Sequence, residues 1–250
     1  MFRKSLGLVL ILLSSGVFAS ARAQDLTATI DRDLRVFAVV AALNASGFDV
    51  DLGPEYHPVR QAVRERVAGI DPDLLARLRQ YYERERGDES DADQLAKYVS
   101  LALALTDPPG MQFMMREELR PNDAREIGDL VPLLDEFYRE ARISVLSSSF
   151  ASDYDEVFAA IVPALREAIV GSDAFLRLPL GDLASRRLVI LLELAAPVGS
   201  VHVRNYGDNL YVLLGYPASA PVGIVRSAYL HLKLGPIIAA ARPRFRQWIT

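Results

Sequence analysis

Side chains able to do chemistry are few in this chain. Histidine occurs three times, at His57, His202 and His231, and cysteine does not occur. Without cysteine there is no thiolate to attack a substrate or bind a metal, no disulfide, and no lipid-bearing thiol. The serines lie outside any G-x-S-x-G frame, "LSSSF" at 146–150 reads as a helix end or turn, and neither common glycine-rich phosphate loop is present. The carboxylate run "ERERGDESDADQ" at 83–94 does not place a glycine and a terminal glutamate at the fixed positions that an EF-hand calcium loop needs, so it reads as a solvated helix–helix loop. What remains is His231, set in the apolar stretch "IVRSAYLHLKLGP" at 224–236.

Two histidines four residues apart share one helix face and can hold a zinc ion, and a glutamate after the first activates the zinc-bound water. The five residues here that correspond to such an HExxH motif are Ser227, Ala228, Tyr229, Leu230 and His231. Their surroundings resemble the gluzincin class of zinc metallopeptidases, in particular secreted bacterial forms whose strand hairpin leads into a helix reading R-H-E-Y-L-H, an apolar run and proline. Arg226, Tyr229, Leu230, His231 and Pro236 fit that pattern, whereas Ser227 and Ala228 do not. The resemblance covers about residues 186–240 and implies a zincin-like core with a cleft for extended peptide.

The departures decide the chemistry. A serine hydroxyl is a poor zinc ligand at neutral pH and alanine cannot be a general base. The resemblance implies a third ligand from a glutamate on a later helix, and residues 232–250 contain no Asp, Glu, His or Cys. Ser227, Ala228 and His231 are therefore read as a vestigial motif, with no catalytic residue, no bound metal and no cofactor expected. Rebuilding a site from His231, His202 or His57, and Glu193 requires several coincidences of geometry. A lone histidine in an apolar helix is expected to be hydrogen-bonded in the core or at its rim.

The elements that must position these residues follow from periodicity. Arg3 and Lys4, the apolar run to Phe18 and the Ala21-Arg22-Ala23 exit form the pattern of an export signal over 1–23, leaving a product outside the cytoplasm without a further membrane span. Helical spacing appears at 31–45, 58–67, 72–86, 91–105, 121–145 and 153–170, with Asp31, Asp71, Asp91 and Ser152 placed as N-caps. The Met and Phe cluster at 106–115 reads as filler of irregular core gaps. After Pro179 come three short β-rich runs, 186–194, 200–206 and 209–217, read as an antiparallel meander, and then a helix from about 221 to 241. The expected class is α+β: a helical region over 24–178, then a small meander and long helix over 179–250.

Charge is uneven. Beyond residue 23 there are 25 basic and 32 acidic residues, a net of −7, yet 209–250 alone carries +5 from Arg226, Lys233, Arg242, Arg244 and Arg246. That basic end is expected to lie against the acidic remainder, and five cations with one Trp and one Phe are too thin a footprint for nucleic acid. The implied function is non-catalytic binding of an extended peptide or protein by an exported relative of a zinc peptidase. Strand addition at Leu210, Tyr211 and Val212 is the expected cleft edge. Two readings stay open beside it: an exported helical scaffold unrelated to peptidases, and a truncated active metallohydrolase.

Overall fold

The computed structural model describes residues 28–48, 56–177 and 186–246. The export signal expected at 1–23 and the division expected at 178/179 lie outside these residues. The class is α+β, with a four-stranded mixed sheet joined to a largely helical body.

The chain enters through a short strand, β1 (Ala28–Asp31), followed at once by α1 (Leu34–Ser46). Asp33 starts that helix: its carboxylate accepts the backbone N–H groups of Arg35 and Val36, and Gly47, at φ 95°, ends it. Every residue of α1 from Val36 to Ser46 is buried, so it is a central helix apolar all round. Around it pack α2 (Pro58–Val67), α3 (Pro72–Arg86), α4 (Asp91–Ala104), α6 (Val131–Glu140) and α7 (Ile143–Ser149), with the short α5 (Asn122–Glu126) between α4 and α6. The expected single helix over 121–145 is thus broken, because Gly128 sits in a 3₁₀ turn, Pro132 lacks an N–H, and Arg142 takes a left-handed conformation at φ 49°. Caps also differ: Ser90 rather than Asp91 caps α4, while Asp71 caps α3 as expected.

After α8 (Ala151–Leu176) the chain forms β2 (Arg187–Glu193), β3 (Val201–Tyr206), β4 (Asn209–Gly215) and α9 (Val222–Arg246). The order across the sheet is β1-β2-β4-β3. β3 and β4 form the antiparallel hairpin, but β4 returns to pair parallel with β2, in register Leu191 to Leu213, and β1 pairs parallel on the far side of β2. The three strands therefore do not form the expected antiparallel meander. The Leu194–Ser200 link is long enough to skip one strand position, and β2, apolar on both faces as "LVILL", belongs inside a parallel sheet rather than at an alternating edge. The helical body is therefore the crossover between two parallel neighbours, and the sheet takes strands from both sides of it.

No described helix is long and apolar enough to cross a membrane.

Candidate functional site

α9 buries Val225, Ala228, Tyr229, Leu232 and Lys233, a stripe at helical spacing, against α8 and strands β2 and β4. Ser227 and His231 lie off this stripe and are exposed together, four residues apart on one face. His231 is accordingly not the core or rim histidine expected from its apolar neighbours. Lys233 is buried although charged, with its ammonium 5.4 Å from the centre of the Tyr229 ring.

The other polar groups named from sequence go elsewhere. His57 caps α2, its Nδ1 accepting the Val59 N–H at 3.2 Å, and its ring stands edge-on to Tyr216 with centroids 4.8 Å apart. Burial pushes its pKa down, opposed by Asp153 and Glu156. Glu193 ends β2 fully buried, where one oxygen accepts both the Tyr154 hydroxyl and the Ala195 N–H at 2.9 Å. Its second oxygen has no partner among the described residues. His202 shares the side of β3 that carries Arg204 and Tyr206, both of which bond to Ser100 of α4. Among the described residues no three His, Asp or Glu side chains come close enough to hold a metal ion.

Leu210, Tyr211 and Val212 do not form an edge. β4 is flanked by β2 on one side and β3 on the other, so its main chain is paired twice. Among the described residues the edge beside the hairpin is β3. The Gly215 N–H donates to the Ser200 carbonyl at 2.8 Å, and because antiparallel pairing alternates, His202, Arg204 and Tyr206 turn their backbone groups toward β4. Val201, Val203 and Asn205 then turn theirs outward. The side chain of Arg204 confirms the direction by donating to the outward Val203 carbonyl at 3.0 Å. Val203 itself is 42% exposed.

At the start of β3 this edge meets a cavity of about 470 Å³ whose wall includes Phe48, Arg60, Leu95, Pro197, Ser200 and His202. Its volume lies in the range of small-ligand sites. Arg60 is a buried cation whose pKa burial lowers to about 10, leaving it charged at neutral pH. His202 is buried, with its pKa lowered by desolvation and then by Arg204, so it is neutral at pH 7; its Nε2 has no partner among the described residues. A buried polar nitrogen without a partner costs roughly 1–3 kcal/mol, which a ligand group reaching it would recover.

His202 stands out in the sequence as a candidate, whereas Arg60, Tyr154 and the cavity do not. Arg60 sits beside the apolar positions 59, 63 and 67 of α2 without breaking their spacing, so nothing in the pattern marks it as buried. Comparison with known proteins finds no matching family model, no matching curated protein and no matching solved structure.

Proposed function

We propose that this protein is an exported, non-catalytic binding protein that takes an extended peptide segment along the outer edge of β3. The observation that carries the reading is the row of outward backbone groups at Val201, Val203 and Asn205, continuing into the cavity that His202 and Arg60 line. Main-chain hydrogen bonds hold an added strand without requiring particular side chains, and the adjoining cavity supplies the selectivity. β1, the other edge, offers four residues among those described. The kinship with gluzincins belongs to the same reading: Arg226, Tyr229, Leu230, His231 and Pro236 keep the order of that class of helix, and an extended peptide is what such a cleft would hold.

Val203→Pro tests this directly. Proline removes an outward N–H while leaving the bonds between β3 and β4 in place, a substitution edge strands tolerate. Fluorescence anisotropy with labelled Val- and Thr-rich octapeptides is expected to show binding by the wild type and at least a tenfold loss in the variant, with unchanged circular dichroism. Equal affinity of the two proteins would refute strand addition at β3.

A further inference from the structure

A second cavity, of about 450 Å³, adjoins the first and shares Gly47 and Arg86 with it. Its floor is Asn44, Val67, Leu75 and Tyr82, and three arginines reach it from two helices: Arg64 of α2, and Arg79 and Arg86 of α3. Glu83 is the only acid on its wall among the described residues. Arg86 is held 3.5 Å from Asp91, but Arg64 and Arg79 make no ion pair among the described residues. Asn44 supplies an independent sign of a missing ligand. It is 4% exposed, and among the described residues neither its amide nitrogen nor its oxygen has a hydrogen-bond partner. An asparagine buried in this way loses both a donor and an acceptor.

The direction of an added strand says what would arrive there. Antiparallel pairs are the commoner kind, and a peptide antiparallel to β3 runs from the Tyr206 end toward Ser200, so its carboxyl end enters the cavities. Resting on the strand-addition reading above, we propose that the peptide is selected for an acidic carboxyl end, which Arg64, Arg79 and Asn44 hold in the second cavity. Guanidinium groups suit a carboxylate through paired N–H donors, and the Asn44 amide suits the last peptide group. Both the terminal carboxylate and Asp or Glu side chains near it carry the required chemistry.

The test compares four labelled octapeptides with one Val- and Thr-rich body: an Asp-Glu carboxyl end with a free terminus, the same end amidated, an Asn-Gln end with a free terminus, and an Asn-Gln end amidated. The free Asp-Glu peptide is expected to bind wild type at least tenfold more tightly than the fully neutral one. The two intermediate peptides apportion the preference between terminus and side chains. Arg64→Gln with Arg79→Gln is expected to abolish the preference while leaving the weak binding of the neutral peptide. Glu83→Gln is expected to increase affinity for the acidic peptide two- to fivefold, a gain that misfolding cannot produce. If acidic and neutral peptides bind wild type equally, or the preference survives in the double variant, the acidic-end proposal fails while strand addition stands. If none of the four binds wild type, strand addition itself fails and the proposal with it.

Discussion

Glu193 gives the pH dependence of this fold a definite sign. The carboxyl is 1% exposed, and its two hydrogen bonds, from Tyr154 and from the Ala195 N–H, fall on one oxygen. Burial pushes its pKa up from 4.5 to about 7; the two hydrogen bonds oppose this, Asp33 adds to it, and Arg32 subtracts. Below about pH 4.5 the group is protonated in both folded and unfolded chains, so it does not alter their balance. As the pH rises toward 7 the unfolded chain releases this proton while the folded chain keeps it, and stability falls. Above 7 the loss is complete, and at 1.36 kcal/mol per pKa unit it amounts to about 3 kcal/mol. Glu193→Gln fixes the neutral form while keeping the acceptor for Tyr154 and Ala195. Urea unfolding followed by circular dichroism at pH 4.5, 6, 7 and 8.5 is therefore expected to give variant and wild type equal stability at pH 4.5. At pH 8.5 the variant should lead by about 3 kcal/mol, with the rise lying between 4.5 and 7. A difference that does not vary with pH, or a variant less stable than wild type at pH 8.5, would refute the reasoning.

Two further substitutions test other parts of the structure. Ser227→His creates an exposed histidine pair with His231 on α9, which is expected to bind zinc or nickel; at a metal concentration a hundredfold above its Kd the fold gains ~2.7 kcal/mol, seen as a rise in Tm that chelator reverses, whereas wild type shows none. An unchanged Tm would mean that positions 227 and 231 do not share an open face. Gly215→Ala places a Cβ against the Pro197 carbonyl oxygen and the Ser200 hydroxyl, both held by the turn at the start of β3. It is expected to cost about 3 kcal/mol in urea unfolding and to weaken peptide binding, because Pro197 and Ser200 line the first cavity. A cost under about 0.5 kcal/mol would show that the turn yields freely.

What the sequence made legible follows from how each element is stabilised. Helices α2, α3 and α4 announce themselves by apolar spacing and by turn or cap residues, because amphipathic helices write their burial at a period the chain displays. The β3–β4 hairpin was legible from the Gly-Asp turn between two β-rich runs. The sheet order was not, since which strand pairs with β2 depends on long-range parallel contacts that leave only the doubly apolar character of "LVILL" as a trace. β1 is four residues long with alternating exposure, too short to stand out ahead of α1. At the site, His202 and Glu193 were visible as residue types, but their roles were not. The Glu193 oxygen, the His202 nitrogen and the Asn44 amide that lack partners among the described residues owe this to tertiary burial that local pattern does not encode. Placing the edge at Leu210, Tyr211 and Val212 failed for the same reason: a strand's free side is a property of the whole sheet.

Residue-resolved amide hydrogen exchange with and without the free Asp-Glu octapeptide examines the outer side of β3 directly. The amides of His202, Arg204 and Tyr206 already face β4 and are expected to exchange slowly in both samples, whereas those of Val201, Val203 and Asn205 should exchange fast in the free protein and become protected when the peptide is added. Peptide binding that leaves Val201, Val203 and Asn205 unprotected, or that protects another segment instead, would contradict the account.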